Sequence, residues 1–256
     1  MWQRTDVDFI HTQEVPWDPI PEGMFGALGG GRKQVLSRDE SDGAETAIIR
    51  VRDRQSGILA SDVDLYVHAG EGTIGGQELL TGDFVHVPAG TGIDIRPSVR
   101  GLALYCGFWG PSALTAGSGD GAGLRHLRPE TMEWEPAGWS GDVALHPGAM
   151  VKRLRQGDGV NIYLAAMMPG WHCEEEESHP VYEESFKIHG DVLMGSRGVI
   201  REGGYFFRSP DVFHGPLYSR SGTMSLIRSD GPTTTTYREP PAGGTWHELA
   251  RNAYSR

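Results

Sequence analysis

Apolar positions along the chain fall in short runs that Gly, Pro, Asp and Ser interrupt. Residues 46–51, 83–87 and 102–105 form such runs in the first half, and residues 161–167, 205–207 and 224–227 in the second. Runs this short, rich in β-branched and aromatic residues and bounded by turn formers, predict strands. Amphipathic segments of helical length are nearly absent, and only residues 246–251 predict a helix. The pattern predicts an all-β fold, a sandwich or barrel.

The pattern also repeats. Leu65-Tyr66-Val67-His68-Ala69-Gly70, followed by a strand that opens at Gly82 and ends Pro88-Ala89-Gly90, has a counterpart in the second half. There Ser185-Phe186-Lys187-Ile188-His189-Gly190 precedes a strand that opens at Gly203 and ends Ser209-Pro210. Repetition at half the chain length predicts two copies of one β unit. Between them, residues 110–123 are rich in Gly, Ser and Ala and read as a linker. This gives a first unit at 1–110, a linker at 111–130, a second unit at 131–240 and a tail at 241–256.

Composition narrows the partners. With 34 acidic against 23 basic residues and a formal charge of −11, the chain lacks the clustered cations that nucleic acid or an anionic membrane surface requires. The two cysteines, Cys106 and Cys173, form no disulfide framework. The first residues lack the basic flank and apolar run of a signal peptide, and no apolar stretch approaches the ~20 residues of a membrane helix. These features point to a soluble, cytoplasmic protein.

Chemistry concentrates in residues 171–184. On extended backbone Glu177, His179 and Glu183 share parity and project to one side. His214 follows the next Gly-bounded strand and closes the group. Two imidazoles and two carboxylates suit one divalent transition metal; without a cation the carboxylates repel and one takes up a proton. Around them, Glu184 has the opposite parity and faces away. Lys187 and His189 share the parity of Glu183, which would let them reach the cavity as acid, base or anchor, but a barrel-rim position is the favoured reading. Arg208 and Arg228 read as surface arginines with the capacity to clamp a carboxylate, and His68 and His86 as structural. His172 and Cys173 lie upstream and are left out of the ligand set.

These residues resemble the cupin superfamily. Its first motif is Gly, five residues, His-x-His, three or four residues, Glu, six residues, Gly, matched by His179, Glu183 and Gly190. Glu177 stands where the first His is usual, and Gly170 lies one residue too far upstream. The second motif, Gly, five residues, Pro-x-Gly, two residues, His, is matched in spacing by Gly203 and His214, with Ser209 and Asp211 at the usual Pro and Gly. In the first copy Gly82, Pro88 and Gly90 fit this second motif, but Ile93 stands at the ligand position. Gapless alignment of Gly70 with Gly190 sets Gly57, Leu59 and Val63 opposite Glu177, His179 and Glu183. None of the four has a ligand atom in its side chain.

The resemblance thus implies a bicupin: two jelly-roll barrels, the first without metal ligands and the second binding one divalent metal. Edge-strand pairing among cupins implies a homodimer. Three activities follow from the resemblance: a non-haem iron oxygenase acting on a small polar metabolite; a redox-neutral hydrolase, lyase or isomerase; or a non-enzymatic metal or ligand sensor. The second is similar to ureidoglycine aminohydrolase, whose active copy is C-terminal and carries a Glu-x-His pair like Glu177 and His179. A carboxylate-rich donor set favours Fe(II), with Mn(II) or Zn(II) as alternatives, and so favours the oxygenase.

Overall fold

A computed structural model describes residues 4–117, 121, 123–140, 143–157 and 159–255. Over these residues the chain is all-β apart from short 3₁₀ turns and one C-terminal helix, and it divides into two units. No helix among the described residues is long and apolar enough to cross a membrane.

One unit spans Val15–Met132 and is built on a ten-stranded antiparallel sheet. Its central strands are Val63–Ile74 and Gly92–Phe108. Val63, Leu65 and Val67 enter a single apolar core with Leu59, Ile93 and Leu104, all at most 1% exposed. The core face also holds a charge pair, in which Lys33 Nζ, in register with Ile49, donates to Glu45 Oε1 at 2.6 Å. The opposite face is buried too, and there His86 Nδ1 meets Asp64 Oδ1 at 3.0 Å. Coverage on both faces explains why these strands read as nearly continuous apolar runs.

The other unit combines residues 4–14 with Glu133–Arg256 around a second ten-stranded sheet. Its central strand, Glu183–Met194, pairs with Gly204–Arg208 on one side and Thr223–Ser229 on the other. Thr223–Ser229 pairs in turn with Val160–Met167. Gly70 in the first unit and Gly190 in the second occupy the same place. Each has a positive φ, and a Cβ there would collide with a backbone carbonyl, that of Gly101 or Gly222.

The unit boundaries differ from those the repeat predicts. Strand Val7–His11 lies along Gly204–Arg208, so the chain's start belongs with its second half. Its backbone groups cover what would otherwise be an open sheet edge. The predicted linker at 111–130 is largely structured as well: Leu114–Thr115 pairs with Gln55–Leu59, and Arg125–Leu127 covers the edge strand Phe84–Val87. Residues 118–120 and 122 of that segment lie outside the described residues. The tail at 241–256 contains the helix Trp246–Tyr254, capped by Thr245, whose side chain accepts from the Glu248 backbone N–H. Trp246 stacks on His172 and Tyr218, which docks the helix on its own unit.

Candidate metal centre

The run Glu174-Glu175-Glu176-Glu177 is sorted by strand alternation. Strand Glu176–Ser178 pairs with Thr236–Arg238. Glu176 turns outward to Arg238, with Nε at 2.7 Å, while Glu177 turns into a cavity of about 400 Å³. His179 continues on the same side. His214 arrives from the loop after Gly204–Arg208 and faces Glu177 directly: Glu177 N donates to His214 O at 2.8 Å, and His214 N donates to Glu177 O at 2.9 Å. The turn that delivers His214 depends on Asp211, whose φ of 62° is the left-handed conformation that glycine supplies at Gly90 in the other unit. Aspartate is among the few residues that adopt it readily. The departure from the motif at position 211 therefore leaves the turn intact.

Glu177, His179 and His214 each offer one donor atom, and these three atoms lie within 4.8 Å of one another. His214 Nε2 is 3.3 Å from Glu177 Oε1. Donors held about 2.0–2.2 Å from one ion stand roughly 3 Å apart when adjacent, so this spacing fits a shared cation. Both imidazoles are oriented by carbonyls. His179 Nδ1 lies 3.2 Å from the Thr234 carbonyl, and His214 Nδ1 lies 3.3 Å from that of Val212. With a cation bound, a proton on each Nδ1 would donate to its carbonyl and leave the Nε2 lone pair to ligate, the usual outer arrangement for a ligating histidine. Without one, His214 Nε2–H donates to Glu177 Oε1 instead. Burial works to raise the Glu177 carboxyl, but the hydrogen bond and charge of His214, with His179 and His146 beyond, hold it below the ordinary carboxylate range.

Glu183 lines the same cavity but stands outside this group of three. It is buried, and its Oε2 has no hydrogen-bond partner among the described residues. Directly across the sheet stands Arg208. Arg208 is not at the surface: it is 3% exposed, its guanidinium lies over the Phe206 ring at 4.0 Å, and none of its three side-chain nitrogens has a hydrogen-bond partner among the described residues. Burial pushes it down to about 10, opposed by the charge of Glu183. An acidic oxygen left without a donor beside two oriented imidazoles and a second carboxylate is the arrangement expected where a cation completes the charge balance.

Other residues are placed as follows. Glu184 faces away from the cavity and is held by the Arg228 guanidinium, by Arg4 and by Tyr205 Oη, the last at 2.5 Å. Arg228 is thus a buried structural partner and not a surface clamp. The bulge between Lys187 and His189 separates their fates: His189 is exposed near Glu202, and Lys187 is 3% exposed on the cavity wall, where its parity with Glu183 pointed, and not at the rim position favoured for it. Lys187 is the cavity residue that sequence reasoning undervalued. Its only sequence signal was parity with Glu183.

In the Val15–Met132 unit the corresponding places are apolar. Gly57 and Ile93 pair across the sheet as Glu177 and His214 do, and Leu59, Val63 and Ile93 pack into the core.

No protein-family profile and no curated protein matches the chain. Solved structures do. A protein from Nostoc punctiforme, provisionally described as a dioxygenase, aligns with a TM-score of 0.76 at 20% identity, over 93% of this chain and 87% of its own. Oxalate decarboxylase aligns at 0.60 and 12% identity, over 90% and 78%. Protein Ylba from E. coli aligns at 0.59 and 11% identity, over 88% and 92%. At these identities the likeness establishes the fold: the chain is an all-β protein with the architecture of cupins.

Proposed function

We propose that the chain is a metal-dependent enzyme in which Glu177, His179 and His214 hold one divalent first-row ion and Glu183 supplies a further carboxylate facing it. The observation that carries this is the convergence of those three donor atoms within 4.8 Å, on the wall of a cavity sized for a small molecule. In this reading the protein is a bicupin, and the Val15–Met132 unit carries no metal, because Gly57, Leu59, Val63 and Ile93 replace every ligand with an apolar group.

The reaction favoured is a non-haem iron oxygenation of a small polar metabolite, supported by the mixed imidazole–carboxylate donor set and by the fold shared with the Nostoc punctiforme protein. Bound Fe(II) would supply Lewis acidity toward substrate and electrons toward dioxygen. The chain's own residues bind and orient. His179 and His214 are locked by the Thr234 and Val212 carbonyls, and the apolar wall of Val192, Phe206 and Leu217 excludes water from one side of the cavity. A redox-neutral hydrolase, lyase or isomerase is the second reading, supported by the Glu177-x-His179 pair.

Elemental analysis of purified protein and of His179→Ala tests the site, with near one ion per chain expected in the first and little in the second. Equal metal in both overturns it. Oxygen uptake that depends on a candidate substrate separates the two reactions, since redox-neutral turnover proceeds anaerobically.

A further inference from the structure

The chain has three lysines, Lys33, Lys152 and Lys187, and all three are buried. Lys33 is neutralised by Glu45 at 2.6 Å, and Lys152 lies over the Trp134 ring at 4.6 Å. Lys187 differs. It is on the cavity wall, and its hydrogen bond is to a neutral group, Ser225 Oγ at 2.6 Å. No carboxylate ion pair forms to it among the described residues, and Asp191 acts on it only through space. An amine kept in an apolar wall without a counter-charge costs stability, and such a cost persists where function uses the group.

The surroundings say what it would receive. Ser225 is the direct cross-strand partner of Lys187, and Ser185, two residues before it, lines the same cavity. Together they set an amine and two hydroxyls in a cavity lined also by the apolar side chains of Val192, Phe206 and Ile227. Glu183, near the metal centre, lies four residues along the same strand, about 13 Å between α-carbons at roughly 3.3 Å per residue. Lys187 is therefore set well apart from Glu183 along the strand that crosses the cavity.

We infer that Lys187, with Ser225 and Ser185, is an anion grip that binds the carboxylate of a small organic acid, whose opposite end faces the metal centre. This deepens the proposed function by naming the substrate class, and it rests on the metal reading only for the second anchor. A cavity of about 400 Å³, at the lower end of small-molecule pockets, limits that acid to a short chain.

Calorimetric titration tests the grip with acetate, butyrate, succinate and glutarate, and with succinamide as the uncharged control. Each is titrated into chelator-treated protein and into Mn(II)-loaded protein. At least one acid is expected to bind wild type ten-fold or more tightly than Lys187→Met in the chelator-treated form, with succinamide unchanged. Ser225→Ala, which keeps the amine, is expected to lose about three-fold. Manganese is expected to tighten dicarboxylates further. Affinities for every acid equal within two-fold in wild type and Lys187→Met, or no binding to wild type, overturn the grip. Metal content of the same samples is read separately: no bound manganese overturns the metal reading, and the chelator-treated comparison still decides Lys187.

Discussion

Glu177 and His214 are bonded to each other twice through the backbone, and their side chains meet at 3.3 Å. The same cross-strand pairing in the Val15–Met132 unit joins Gly57 to Ile93. One backbone relationship thus carries two donor atoms in one unit and none in the other. Chemistry at this place depends on two side chains and not on a change of fold.

Metal affinity should follow that geometry. Glu177→Gln and His214→Ala are each expected to weaken binding at least ten-fold, and Glu183→Gln by less, because Glu183 stands outside the close group. Competition with a chromophoric chelator measures this. A larger loss in Glu183→Gln than in Glu177→Gln would reverse the assignment.

The buried Glu184–Arg228–Arg4 cluster should be structural. All three side chains are fully buried. Replacing Arg228 by Met leaves the Glu184 charge short of its partner, a loss of about 3–5 kcal/mol. Urea unfolding reads it, and a change below about 1 kcal/mol would show that Glu184 is not held ionised by Arg228.

Lys187 should make stability depend on pH. Burial pushes its amine down to about 7, from an unfolded value near 10.5. Below pH 7 both states are charged, and the folded state bears the full burial cost. Between 7 and 10.5 the unfolded state binds more protons, so stability rises with pH. Lys187→Met should therefore stabilise most below pH 7, by about 3–5 kcal/mol, with the gain fading toward pH 10.5. A gain independent of pH in thermal unfolding would contradict a depressed amine.

Gly70 and Gly190 should be equally intolerant of a side chain. Each combines a positive φ with a carbonyl where a Cβ would stand. Gly70→Ala and Gly190→Ala are each expected to cost at least about 2 kcal/mol, the left-handed penalty plus the displaced backbone. Chemical denaturation of the two variants checks this, and a neutral result at either would show that its sheet yields.

Much of this protein is legible in its sequence. Short apolar runs between turn residues predicted strands, and the half-length repeat predicted two units. The parity of Glu177 with His179 reflects a backbone geometry that holds wherever the chain is extended. The spacing from Gly203 to His214 brought His214 opposite Glu177 even though Asp211 replaces glycine, because aspartate can adopt the same φ.

Other features were settled only by tertiary structure. Residues 7–11 pair with Gly204–Arg208, nearly two hundred positions away, and no local pattern encodes which edge a strand will cover. The bulge after Lys187 turned His189 outward, and a one-residue irregularity is invisible to an alternation rule. Arg208 and Arg228 look alike in sequence, yet Arg228 is clamped to Glu184 and Arg208 is buried with no hydrogen-bonding partner among the described residues. Local pattern sets which face a side chain takes; what waits on that face is decided by distant segments folding against it.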